Sequence, residues 1–366
     1  MRKFTRKITF AILNSKFTHT FLFMKRKLFI ILSSSFCSVF ILLGILGYVA
    51  YDRLFTPAFN IAGSTRLYID VDDTIDSVRF KVNNVLSPKS IDVFDWLVKH
   101  EKYNKVKTGS YLFEPNDDWR IAIRRLKLGW QTPVRIVVPS VRTINHMAQS
   151  LGKQLMVNEQ EIIDTLSSPS FMTRMGYTAE ILPTLFVPNT YEVYWNISVE
   201  ELMQRLSKEY NSYWNNERRE KATAQGLTPI EVATLASIVD EETSVNSEKP
   251  IIAGLYLNRL HRGILLQADP TVKFATGDPT LRRILNKHLT IDSPYNTYIY
   301  KGLPPGPIRI PSMAALEAVL NPAKHNYLYM CAKEDFSGTH NFASTLTQHN
   351  VNARRYQQAL NQRGIK

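Results

Sequence analysis

Asp240, Glu241 and Glu242 stand side by side near the end of the stretch 228–243, TPIEVATLASIVDEET. Glu242 is the one placed for acid–base chemistry. It follows Leu235 by seven positions and Ile238 by four, so on a helix it projects near the apolar stripe of Val232, Leu235, Ala236 and Val239. At about 100° per residue, Glu241 points roughly opposite to Val232, and Asp240 sits to one side. A carboxyl held against apolar neighbours has its charged form disfavoured, and its pKa rises. Such a group can donate a proton near neutral pH and take one back. The competing expectation is a helix-end carboxylate that reaches solvent or pairs with Arg259 or Lys249.

Further along, polar and aromatic side chains recur beside turn-forming residues. Asn258 and Arg259 close an apolar helix, Gln267 and Asp269 flank Ala268 before Pro270, and Tyr295-Asn296-Thr297-Tyr298 precedes Gly302-Leu303-Pro304-Pro305-Gly306-Pro307-Ile308. His340 follows Gly338. Each has a plain structural use, as turn, loop or hydrogen-bonded surface residue. As a set, amides, hydroxyls and aromatics suit a neutral polysaccharide, which offers hydroxyls to polar groups and ring faces to apolar ones. The two cysteines, Cys37 and Cys331, provide neither a Cys-based zinc site nor a disulfide within the part beyond residue 50. With no Gly-rich phosphate loop either, no cofactor or metal is expected, and activity should persist in EDTA.

The elements that must carry these residues are legible in outline. Thr228 caps a helix, Pro229 fits its first position, and Glu231 can reach back to the cap. Helices are expected over 199–213, 250–260 and 312–320, with residues 215–225 as a polar link. A strand is expected at 327–329 and a turn at 338–342. Residues 183–193, rich in proline and aromatics, predict a rigid surface turn, with 167–169 as a loop. Strand 134–139 and helices 143–151 and 159–166 complete a unit over 133–366. Before it, strand 65–71, helices from 73 and over 90–100, a strand entered from Lys107 and helix 119–128 form a small two-layer module over 64–132. Trp96 and Trp119 are expected to pack rather than to stack sugars. The fold class is α+β.

The net charge of +13 is mostly local, because residues 1–27 hold eight Lys/Arg and no acid, leaving +5 for the remainder. This is weak ground for nucleic-acid binding. Residues 28–50 contain no charged side chain and are long enough to span a bilayer, where about 20 apolar residues suffice. The expectation is a retained single-pass transmembrane helix with a basic cytoplasmic flank, a tether over 51–63, and everything later on the outer side. Met24 makes a second start, with 1–23 as an extension.

Taken together, the strings Ala236–Thr243, Asn258-Arg259-Leu260, Leu266–Val272, Tyr295–Tyr298, Gly302–Ile308, and Gly338 with His340 and Phe342 resemble one family. It is the endolytic murein (lytic) transglycosylases of the MltG/YceG type. The resemblance implies that Glu242 is the catalytic glutamate and that the N-terminal module is LysM-like. It also implies a protein in the cytoplasmic membrane facing the cell wall, cutting nascent peptidoglycan strands and partnering penicillin-binding synthases. Gln267, Tyr295, Asn296, Asn258, His340 and, as a hydrogen-bonding support, Asp269 are expected along the glycan. This sequence departs from the family at Asp240, Ala268, Asn189 and Pro183-Thr184, none of which touches Glu242. Two rivals stay open. One is a muramidase pairing Glu242 with Asp269 or Asp240 at a carboxyl separation of about 5 Å or about 6.5–9.5 Å, where a projection more than a quarter-turn away argues against Asp240 and leaves Asp269 open. The other is a non-catalytic peptidoglycan-binding scaffold.

Overall fold

A computed structural model describes residues 2–278, 280, 281 and 283–364, with side chains from residue 24 onward except 30 and 31. The side chains of the expected extension, 1–23, and positions 279 and 282 of the loop after Gly277 lie outside the described residues. Helix α1 (Arg2–Phe55) contains the stretch Met24–Phe55, which is long and apolar enough to cross a membrane. Along that stretch Leu28, Phe36, Leu43 and Leu46 are all exposed, and only toward its end does Leu54 pack on a core. The chain divides into two compact units, 1–132 and 133–366.

The first unit pairs β1 (Thr65–Ile69) antiparallel with β2 (Gly109–Phe113), Leu67 opposite Tyr111. Helices α2 (Ile75–Leu86) and α3 (Asp92–His100) lie between the strands in sequence, and α4 (Trp119–Leu128) follows. Thr74 and Asp118 cap α2 and α4, each accepting from the backbone N–H three residues on. Leu67, Ile69, Val78, Phe94, Tyr111 and Trp119 share one core. Trp119 packs as expected. Trp96 does not: it is half exposed and stacks on His100 at 4.7 Å, because its place on α3 faces away from that core.

In the second unit, β3 (Val134–Val138) pairs antiparallel with β4 (Asn189–Val193), Ile136 opposite Tyr191. Around them pack α5 (Ile144–Gly152), α6 (Glu159–Ser167), α7 (Pro169–Met175) and α8 (Val199–Tyr213). The loop expected at 167–169 is thus the start of α7, with Ser168 as its cap and Pro169 in its first turn. Nor is 183–193 a surface turn. Leu182, Leu185, Phe186, Tyr191 and Val193 are buried, so those aromatics serve the core.

Helix α9 (Asn216–Ala224) replaces the expected polar link. A helix polar nearly all round forms there because Asn215 caps it, Glu217 pairs with Lys221 one turn on, and only Ala222 is buried. Then comes α10 (Pro229–Glu242), with the Thr228–Glu231 capping box formed in both directions. Every residue from Val232 to Val239 is buried, Thr234 and Ser237 included, so α10 is a central helix and not one with a single apolar stripe. It packs with α11 (Lys249–His261) and α13 (Met313–Leu320) in one core and touches α12 (Asp269–Thr276). The Leu303–Ile308 segment is pinned to α10 where the Ile308 N–H donates to Ser237 Oγ at 2.9 Å. Gly306 is required there: a Cβ would come within 2.1 Å of the Glu180 carbonyl oxygen. Finally β5 (Tyr329–Ala332) and β6 (His340–Ala343) form an antiparallel pair backed by α14 (Leu346–Gln362). The expected strand therefore begins two residues later, and the turn at 338–342 is largely strand.

Candidate active site

The three acids at the end of α10 meet different fates. Asp240 is buried, accepts from Lys249 Nζ at 2.6 Å and from the Ser312 N–H at 2.7 Å, and lies 3.7 Å from Arg309. Burial alone would raise its pKa, but Lys249 and Ser312 outweigh burial and hold it below the usual range. Glu241, expected to face outward, is also largely buried, and it takes a two-pronged contact from Arg142 and another from Arg309 at 2.9 Å. Glu242 has no ion pair among the described residues. Its Oε1 accepts one hydrogen bond, from the Tyr256 hydroxyl at 2.5 Å. Neither Lys249 nor Arg259 neutralises it, because Lys249 serves Asp240 and Arg259 turns to carbonyls and an amide.

That difference sets the chemistry. Burial pushes the Glu242 carboxyl up to about 7; the Tyr256 hydroxyl pulls it down, and the charges of Asp269 and Glu241 add a smaller upward push. At neutral pH the group is therefore divided between acid and carboxylate.

Glu242 lines a cavity of about 420 Å³ together with Tyr256, Arg259, Gln267, Asp269 and Tyr298. Tyr329, His340 and His349 supply a wall from the β5–β6 pair and α14. Asp269 opens α12, and its carboxylate accepts from the Tyr298 hydroxyl at 2.6 Å. Arg259, buried without a carboxylate partner among the described residues, donates to the Leu265 and Leu328 carbonyls at 2.9 Å and to Gln267 Oε1 at 2.6 Å. Gln267 carries a left-handed backbone, φ 51°, which a non-glycine residue rarely adopts outside constrained sites. Its N–H donates to the Thr297 carbonyl, and with the Arg259 contact this holds the residue at the cavity edge. His340 is held by Glu248, which accepts from its backbone N–H at 2.7 Å, stands 3.1 Å from its Nδ1, and also accepts from Thr243.

The structure thus brings Glu242, Gln267, Asp269 and His340 around one cavity and leaves three expected residues outside it. Asn296 is fully buried, donates to the Leu289 and Ile291 carbonyls and accepts from the Tyr298 N–H, so its amide is spent on shaping the loop. Asn258 donates to the His325 and Tyr327 carbonyls and lines a separate hollow. Tyr295 packs on Phe274 at 4.6 Å. Tyr256, Tyr298 and His349 were not singled out from sequence. For Tyr256 a signal existed: it is a hydroxyl inside the otherwise apolar run 250–257.

The YceG-like family model matches residues 67–355. A protein of Bacillus subtilis (strain 168) named endolytic murein transglycosylase is 29% identical over 299 residues, which is 77% of this chain and 81% of that protein. One of the same name from Streptococcus pneumoniae serotype 2 (strain D39) is 24% identical over 340 residues, 81% of this chain but 60% of that longer protein. Among solved structures, the crystal structure of a yceG-like protein from Listeria monocytogenes matches with a TM-score of 0.52 at 25% identity, covering 80% of this chain and 99% of that one.

Proposed function

This chain belongs to the YceG-like family, and from that membership we propose that it is a membrane-anchored endolytic lytic transglycosylase of peptidoglycan. The relatives named endolytic murein transglycosylase support the reaction class. The observation that carries the residue assignment is the contrast at the end of α10, where two acids are neutralised by cations and Glu242 is left desolvated at about 7.

In this reading, protonated Glu242 donates to the oxygen of the β-1,4 bond between N-acetylmuramic acid and N-acetylglucosamine as the sugar becomes oxocarbenium-like. The carboxylate left behind then removes the proton from the C6 hydroxyl of the muramoyl ring, which attacks its own C1. The product is a 1,6-anhydromuramoyl end, and no water is consumed. An intramolecular nucleophile already in place needs no second carboxylate. Gln267, Asp269 and His340 line the path of the glycan. The apolar helix Met24–Phe55 supports a single-pass anchor in the cytoplasmic membrane, with both later units outside and nascent strands as substrate. The antiparallel pair β1–β2, with two helices between its strands, supports a LysM-like role for the first unit. Partnership with penicillin-binding synthases is part of the same proposal.

A muramidase using Glu242 with Asp269 is the second reading, because both carboxyls line one cavity. Asp240 is a poor partner for that chemistry, since Lys249 and Ser312 occupy it. The deciding experiment is mass spectrometry of peptidoglycan digested with the wild-type protein and with Glu242→Gln. Anhydro-ended products from the wild type alone support the lyase. Reducing ends point to the muramidase, and strand binding without cleavage by either protein points to a scaffold.

A further inference from the structure

A second cavity, of about 370 Å³, is walled by the sequence neighbours of the active-site carboxylates: Glu241 stands beside Glu242, and Pro270 beside Asp269. Its chemistry differs from that of the first. Pro270, Ile308 and the half-exposed ring of Phe274 form an apolar surface, and Phe274 is steadied from behind by Tyr295. The rest of the wall mixes charges, with Arg142 and Lys273 standing among Glu241 and Asp278. Behind it, Asp240 and Glu241 face three cations, Lys249, Arg142 and Arg309. Lys273 adds another and has no ion pair among the described residues. The nearby acid, Asp278, accepts from the Thr280 N–H and hydroxyl and also feels the Lys273 charge.

A glycan made only of sugar rings and acetamido groups is neutral and gives these cations nothing to bind. In peptidoglycan the carboxylates and the apolar side chains belong to the peptide carried by the muramoyl lactyl group. We propose that this second cavity is a subsite for the peptide stem of the strand. Phe274 packs against the stem's apolar side chains, and Lys273 with Arg142 draws its carboxylates. The assignment rests on the peptidoglycan reading above and deepens it: the preferred substrate is a stem-bearing strand. A muramoyl unit held at Glu242 then carries its stem past Glu241 and Pro270 into the adjoining cavity.

The test is equilibrium binding by the full-length, detergent-solubilised Glu242→Gln protein, which holds strands without cutting them. Uncross-linked glycan strands bearing stems are compared with the same strands stripped by an amidase, the lactyl carboxylates so exposed being capped as methyl amides to keep the control neutral. The stem-bearing strands should bind about tenfold more tightly at low salt, with the advantage shrinking as salt rises. Adding Lys273→Gln or Phe274→Ala should bring the ratio of dissociation constants close to one. Equal affinities in the parent protein, or a ratio unmoved by Lys273→Gln, would overturn the proposal. So would loss of the preference to competing anionic-lipid vesicles but not to free stem peptide. The reaction itself is followed separately, by the ends that wild-type protein leaves on stripped strands. Reducing ends there would remove the lyase reading while leaving the binding ratio to decide the subsite.

Discussion

The Tyr256 hydroxyl donates to Glu242 Oε1 at 2.5 Å from inside the core, on a helix that also carries Arg259. Tyr256 is itself buried, and its own ionisation is pushed far up, first by burial and then by the Glu242 charge, so it remains a donor throughout the useful pH range. The two effects on Glu242 oppose each other. Desolvation favours the neutral acid, and the hydroxyl favours the carboxylate.

Tyr256→Phe removes the second effect and keeps the ring. The Glu242 pKa should then rise above about 7. Because the proposed first step needs the protonated acid, the wild-type rate should fall as pH rises through that value. The variant should carry its alkaline limb to higher pH by about one unit while its maximal rate drops about tenfold, since the carboxyl loses its fixed orientation. A pH–rate profile checks both. A lower rate with an unmoved midpoint would make Tyr256 a packing residue only.

Glu242→Gln should abolish cleavage and yet stabilise the protein above neutral pH. The sign follows from the raised pKa. Below the unfolded value of 4.5 both states hold the proton and burial costs nothing, whereas between 4.5 and about 7 the unfolded chain releases it first. Above about 7 the full penalty is present, of order 3 kcal/mol for a shift of this size. Denaturant unfolding at pH 8 and pH 4 should therefore show a gain for the variant at the higher pH only. Equal stabilities at both would mean that the carboxyl is well solvated.

Asp240→Asn should do the opposite, although it lies two residues away. It leaves Lys249 buried without its counter-ion and withdraws one contact from Arg309, and breaking such a pair typically costs about 3–5 kcal/mol. Since the folded-state pKa of Asp240 is lowered, its contribution is present above the unfolded value of 3.8 and is lost as pH falls through the folded one. The loss should read out as a lower midpoint in denaturant at pH 7. Cleavage products, where the variant stays folded, should keep their anhydro ends. A change to reducing ends would return Asp240 to the chemistry.

The helical wheel singles out Glu242 from the acidic trio for an incomplete reason. It placed Glu241 and Asp240 away from the apolar face, whereas α10 is buried on every side and all three acids are enclosed to some degree. What singles out Glu242 is the absence of a cation, and the cations come from Arg142, Lys249 and Arg309, up to a hundred residues away in sequence. Local signals did better where the physics is local: the Thr228–Glu231 box needs only neighbouring residues. The polar stretch 215–225 failed as a link because its cap and its Glu217–Lys221 pair outweigh the lack of an apolar face. For the amides, residue type alone cannot tell a side chain that holds a ligand from one that holds its own loop. Asn296 and Gln267 look alike in the sequence, yet one is buried and spent on backbone carbonyls and the other lies exposed at the cavity rim.

That last pair gives the sharpest contrast to measure. Asn296→Ala strands the Leu289 and Ile291 carbonyls and the Tyr298 N–H inside the protein. Leaving buried polar groups unpaired costs about 1–3 kcal/mol each, so the variant should unfold several degrees earlier. The loop that presents Tyr298 to Asp269 should loosen, and the rate should fall through loss of active protein more than through weaker binding. Gln267→Ala leaves the core alone. It removes one acceptor from Arg259 and an amide from the cavity edge, so its melting temperature should fall less than that of Asn296→Ala while KM for glycan strands rises about three- to tenfold. Thermal unfolding and steady-state kinetics on both variants separate the roles. If Asn296→Ala instead raises KM at unchanged stability, its amide belongs to the glycan site after all.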